Sequence, residues 1–194
     1  MKTKPLSKYK LNKIELGLEH WFSKASEQDI IQGKKWYKSA NELTTSIANK
    51  HGLNNETVAS VISALSPRNK WQRNIVDAIH VLDAVQRGVH HNHVKVCTFN
   101  NNKLKAFEIA KGIKFIDESS RKTFSFVRNI ARLDPDYVTI DVWHLRACGT
   151  FTSVPNYLNK TQYDQISKLT KSLAKKHNLK GYEYQAIIWC SIRK

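Results

Sequence analysis

From the start of the chain, apolar residues return at intervals of three and four, the spacing that lays them along one face of an α-helix. Ile14, Leu18, Trp21 and Phe22 make the first such stripe, behind a polar, basic stretch over residues 1–10 that is expected to be a flexible tail. A second helix is predicted from about Gln28 to Lys50, where His51 and Gly52 supply a C-terminal stop. The run ETVASVISAL is apolar enough to be a core helix, with Asn55 as its expected N-cap. Ser66-Pro67 is its expected end, because a residue before proline is pushed out of helical geometry.

The segment NKWQRNIVDAIHVLDAVQRG reads as a long amphipathic helix with Trp71, Ile75, Ile79, Leu82 and Val85 on one side and Gly88 closing it. A polar loop runs on through His93. Asn100 to Lys111 is predicted as another helix with Leu104, Phe107 and Ile109 turned inward. Serines 119 and 120 can cap a helix over RKTFSFVRNIARL, and Asp134-Pro135-Asp136 should terminate it. After that turn, YVTIDVWHLRACG begins β-branched and becomes helical, and two more helices run roughly from Gln162 to His177 and from Tyr182 to Ile192. With only 7 glycines and 4 prolines there is little material for β-hairpins, and no repeat or low-complexity segment is present. The expectation is an all-α chain of about nine helices, folded over residues 1–194 as a single domain.

Charge changes the picture from architecture to partner. Thirty-two Lys and Arg (32) against 16 Asp and Glu leave a formal charge of +16, well beyond what solubility asks for, so a polyanion is the natural partner. No stretch approaches the roughly eighteen apolar residues of a spanning helix, and the opening MKTKPLSKYKLNK has no apolar run behind it. The chain is therefore expected to be soluble, cytoplasmic and monomeric, with nucleic acid rather than a membrane as its ligand. Cys97, Cys148 and Cys190 are odd in number and widely spaced, which argues for buried thiols and against disulfides or a metal cluster. His90, His91 and His93 have no carboxylate or cysteine at ligand spacing and read as a solvated loop, so no metal and no other cofactor is expected.

Chemistry concentrates in SSRKTFSFVRNIARLDPDYVTIDVWHLRACG, which resembles the catalytic region of the helix-hairpin-helix (endonuclease III-like) DNA glycosylases. In that likeness Lys122 takes the place of the catalytic lysine after the hairpin, and Asp141 that of the catalytic aspartate, with Arg146 following. Upstream, VASVISALSPRNKW is similar to the family's apolar helix and the loop that probes the duplex beside a flipped base. A second resemblance is to uncharacterised phage and plasmid-borne proteins, through Trp36-Tyr37, Ala64 to Pro67, and Tyr184-Gln185-Ala186 with Trp189. Two departures stand out. The hairpin's usual glycines are replaced by Ile116-Asp117-Glu118-Ser119-Ser120, and Trp143 stands where a histidine is common.

The resemblance implies a glycosylase-like helical bundle with a catalytic cleft between two helical lobes, acting on double-stranded DNA. Asp141 would stabilise the oxocarbenium character that develops at C1′, and its other reading is a helix cap. Lys122 would attack C1′ and add strand-nicking lyase activity if its pKa were lowered by desolvation or by neighbouring cations, for which Arg121 and Arg128 lie close enough in sequence. Ser66, Arg68, Asn69, Lys70, Arg121, Arg128 and Arg146 are the expected DNA contacts. Trp143, Trp71, Tyr184 and Trp189 are candidates for a base pocket, though aromatics at helical spacing are usually core. Two other functions fit the same residues: a phage base-modifying enzyme on this fold, and a non-catalytic DNA-binding relative.

Overall fold

The computed structural model describes residues 4–132, 137–150 and 158–193. Among these all regular structure is helical, in the order α1 (Lys8–Ser23), α2 (Glu27–His51), α3 (Asn55–Leu65), α4 (Trp71–Gln86), α5 (Asn100–Ala110), α6 (Arg121–Ala131), α7 (Val142–Ala147), α8 (Lys160–Lys176) and α9 (Gly181–Ile192). A short 3-10 turn, His91–His93, lies between α4 and α5. The chain divides into two compact units, Met1–Ser39 with Asp134–Lys194, and Ala40–Leu133. No described helix is long and apolar enough to cross a membrane.

In the first unit α1 packs on α7, α8 and α9, around a core that includes Ile14, Leu18, Val138, Ile166, Leu173 and Ile188. Two glycines set how closely the helices approach. A Cβ at Gly17 of α1 would lie 2.5 Å from the Ala147 carbonyl oxygen, and one at Gly33 of α2 would lie 2.6 Å from the Ile187 backbone, so neither position has room for a side chain. Residues 4–7 are not the flexible tail that their polarity predicts. Leu6 is buried in the core, its N–H donates to Gln165 Oε1 at 2.8 Å, the Lys4 carbonyl accepts from Asn159 and Gln162, and Ser7 caps α1. One buried leucine and three side-chain amides are enough to offset the entropy of ordering so short a segment.

In the second unit α3 is the central element, covered by α4, α5 and α6, and every residue from Val58 to Leu65 is buried. Its N-cap is Asn54 rather than Asn55, with the Asn54 side chain accepting from Thr57 N–H at 2.7 Å. Ser66 keeps helical dihedrals (φ −68°, ψ −25°), so the helix ends because Pro67 has no N–H to donate and Arg68 then turns left-handed (φ 56°). On α4, Ile75 and Leu82 face inward as expected. The rest of the buried face is Asn74, Asp77, Ala78, Val81 and Ala84, while Trp71, Ile79 and Val85 are only half-buried. That rotation is possible because the Asp77 carboxylate, fully enclosed, is satisfied by three donors described below. Phe107 and Ile109 of α5 are buried as predicted, but Leu104 is 40% exposed and Lys103 takes the inward position, its Nζ donating to the Val94 carbonyl at 3.0 Å.

Ser120 precedes α6 without a side-chain cap, and Ser119 bonds to Asp117 instead. The predicted terminator Asp134-Pro135-Asp136 lies outside the described residues; α6 closes at Arg132, in the left-handed region with φ 52°. Of the three cysteines only Cys148 is fully buried, where burial pushes its thiol up to about 12. Cys190 is half-buried and Cys97 exposed, because the loop carrying Cys97 offers its backbone N–H, not its side chain, to the interior.

Candidate functional site

Asp141 stands at the junction of an extended segment and α7, and each side of the junction is fixed. Upstream, Val138 and Ile140 are buried, and the Tyr163 hydroxyl of α8 donates to the Val138 carbonyl at 2.9 Å while accepting the Ile140 N–H at 3.1 Å. Downstream, Asp141 Oδ1 accepts the N–H groups of Trp143 and His144 at 3.0 and 2.9 Å, an N-cap that satisfies two of the donors a helix start leaves open. The predicted site aspartate is thus also a capping residue. His144 is fully buried behind it; the Thr170 hydroxyl donates to the Ile166 carbonyl, so His144 Nε2 carries the proton shared with Thr170 Oγ1 at 3.1 Å. Burial lowers the His144 ring to about 4 and keeps it neutral.

Beyond the cap the structure brings together three residues singled out in the sequence. The Arg146 guanidinium lies 4.5 Å from the Trp143 ring, and Arg193 lies 4.0 Å from Trp189 and 5.6 Å from Trp143, so both indoles share one cation. Trp36 meets the edge of Trp189 at 5.8 Å. Arg146 and Arg193 are exposed and the three indoles half-buried. Planar guanidinium on indole presents a flat cationic surface, suited to stacking a base and meeting a phosphate. Arg193 carried no motif to mark it, and only the packing of the C-terminal turn beside Trp143 identifies it. Tyr184, by contrast, is a core residue and no pocket wall: its ring is fully enclosed and stacks on Phe22 at 4.7 Å.

The remaining predicted residues lie in the second unit. In the loop between α3 and α4, Ser66 Oγ donates to the Ser63 carbonyl and Asn69 Nδ2 to Asp77 Oδ2 at 2.9 Å, so both are turned inward and hold the loop. Asp77 also accepts from Arg73 Nε at 2.9 Å and from the Cys97 N–H at 2.7 Å, and Thr98 Oγ1 donates to the Pro67 carbonyl at 2.9 Å. This network, invisible in sequence, ties the loop to the segment before α5 and leaves Arg68 and Lys70 facing outward. Arg68 rests 5.2 Å from the ring of Phe99, itself 53% exposed. Trp71 opens α4 half-buried. In α6, Arg121 pairs with Glu118 at 3.1 Å and Arg128 lies 5.8 Å from the Phe124 ring. Lys122 is exposed in the first turn. Among the described residues no three His, Cys, Asp or Glu side chains converge as metal ligands, the His90, His91 and His93 loop included.

The chain belongs to a family of unknown function, DUF7178, which matches it over residues 2–194. The match names no activity and no tie to the helix-hairpin-helix glycosylases. No curated protein and no solved structure matches the chain.

Proposed function

We propose, for a chain whose family supplies no activity, that it binds double-stranded DNA on a helix-hairpin-helix type of fold, turns out a damaged or modified base and cleaves its N-glycosidic bond. The reading rests on one observation: Asp141, oriented by two backbone N–H groups, heads the helix that carries Trp143 and Arg146 into the Arg193–Trp189 stack. A base stacked there would leave its sugar near a carboxylate that is already oriented, which can offset positive charge at C1′ without reorganising as the bond breaks. Lys122 enters as a DNA contact at the start of α6. The side chain is exposed, and in this reading it takes no part in the bond cleavage: release is hydrolytic and the strand stays whole.

A second reading draws on the same aspartate. The cap that Asp141 makes is a complete structural reason for its presence, as a non-catalytic DNA-binding protein would require. Duplexes carrying uracil, 5-hydroxymethyluracil, alkylated purines or an abasic site separate the two, with released base measured by mass spectrometry and borohydride trapping run in parallel. The proposed enzyme releases at least one base, loses that release in Asp141→Asn while still binding, and is not trapped. Binding without release from any duplex, unchanged in Asp141→Asn, leaves only the second reading.

A further inference from the structure

The most exposed large apolar side chain among the described residues is Phe115, at 80%, and Ile113 beside it is 70% exposed. They lie two positions apart in the loop between α5 and α6, in a stretch without helical structure, with both side chains exposed. Both ends of this loop are built. At its start Gly112 takes φ 71°, its N–H donating to the Ile109 carbonyl and that of Ile113 to the Glu108 carbonyl, each at 2.9 Å. At its end Asp117 accepts from Ser119 N–H at 2.8 Å and its carbonyl from Ser120 N–H at 3.2 Å. A tip held from both sides has already met most of the entropic cost of ordering.

The charges around the tip suit a polyanion. Lys111 stands before the tip, Lys114 within it, and Arg121 and Lys122 after it, on a chain of formal charge +16; of the neighbouring acids, Glu108 pairs with Lys114 at 3.0 Å, Glu118 pairs with Arg121 at 3.1 Å, and Asp117 accepts from Ser119. Apolar side chains set between cations match the means by which proteins enter a groove and part a base step, the cations meeting phosphate as the wedge unstacks bases. We propose that Phe115 and Ile113 form such a wedge and insert into duplex DNA at a flexible pyrimidine–purine step. The proposal shares with the proposed function its ligand, duplex DNA, and needs neither base release nor Asp141.

The test uses the full chain and an undamaged duplex with 2-aminopurine at a TA step. Binding raises 2-aminopurine fluorescence as the step opens. In Phe115→Ala/Ile113→Ala the rise disappears and affinity falls about tenfold or more, the scale of losing one buried aromatic contact. The salt dependence of binding stays as in the parent, since the phosphate contacts remain. Both side chains are exposed, so the melting temperature holds, and Phe115→Leu restores part of the signal. A saturated complex without a fluorescence rise overturns the proposal. So does a double variant that keeps both signal and affinity, and so does a Phe115 requirement seen only for phosphatidylglycerol vesicles or for self-association. Because no base leaves this duplex, a Phe115-dependent signal alongside an empty base-release panel removes the proposed function alone, and the reverse removes the wedge alone.

Discussion

Helices α6 and α7 begin in opposite ways. The head of α7 is closed by its own carboxylate, Asp141, with two N–H groups bonded to one oxygen. The head of α6 has no side-chain cap, no acid in its first turn, and Arg121 and Lys122 placed where the helix dipole is already positive. Cations there cost stability, and uncapped N–H groups beside them attract an anion. α7, only 6 residues long, could not stand without its cap and without the burial of His144 and Leu145. α6, with 11 residues and Val127, Ile130 and Ala131 packed inward, can carry an unfavourable start. One helix therefore orients a negative group and the other presents positive ones.

The sharpest way to break this contrast is at Asp141. Asp141→Asn keeps an acceptor for the cap and should cost little stability, while base release should fall by roughly a hundredfold or more if the carboxylate acts on the transition state. Asp141→Ala should in addition lower stability by about 1 kcal/mol in urea unfolding. Equal activity in Asn and parent proteins would make α7 a purely structural helix.

The next effect is pH. The His144 ring is held to about 4 in the folded protein against 6.5 for the free side chain. The unfolded chain therefore takes up a proton first as pH falls, and stability present above pH 6.5 is lost on the way down to about 4. The loss should approach about 3 kcal/mol, read as the change in urea unfolding free energy between pH 7 and pH 4. His144→Asn should flatten that dependence, and a parent protein equally stable at both values would contradict the buried neutral ring.

Smaller effects test the open head of α6. Ser120→Asp should raise stability by about 1 kcal/mol by supplying the missing cap, and weaken DNA binding by adding a negative charge where phosphate is expected. Tighter binding in that variant would show that α6 does not face DNA. Lys122→Ala should change stability by less than about 0.5 kcal/mol and leave base release intact, with slightly weaker, less salt-sensitive binding. Loss of base release with binding kept would return Lys122 to a catalytic role.

Much of this was legible because helical periodicity is a local property. The stripe of Ile14 and Leu18, the stop at Gly52 and the apolar run of α3 each follow from spacing or a single backbone requirement, and the helices predicted with bounds lie within a few residues of them, whereas α1 already begins at Lys8, inside the predicted tail. The errors have one cause in common. The ordered residues 4–7 and the inward Asp77 depend on partners outside their own helix, Gln165 for Leu6 and Cys97 for Asp77, and Lys103 turns inward in place of Leu104 to reach the Val94 carbonyl in the preceding loop. A polar residue goes inside when donors or acceptors await it, and spacing along the sequence does not show which groups will meet it.

The same division runs through the candidate site. Sequence alone determined an all-helical chain of strong positive charge, and it marked Asp141, Trp143, Arg146 and Trp189 as residues to watch, because residue type and spacing are written in order along the chain. Only the tertiary structure decided that Tyr163 holds the segment leading into Asp141, that Arg193 joins Trp143 to Trp189, that Tyr184 belongs to the core, and that Phe115 is exposed. Those outcomes are set by which surfaces meet on folding, and burial and hydrogen bonding between distant segments become defined only once they have met.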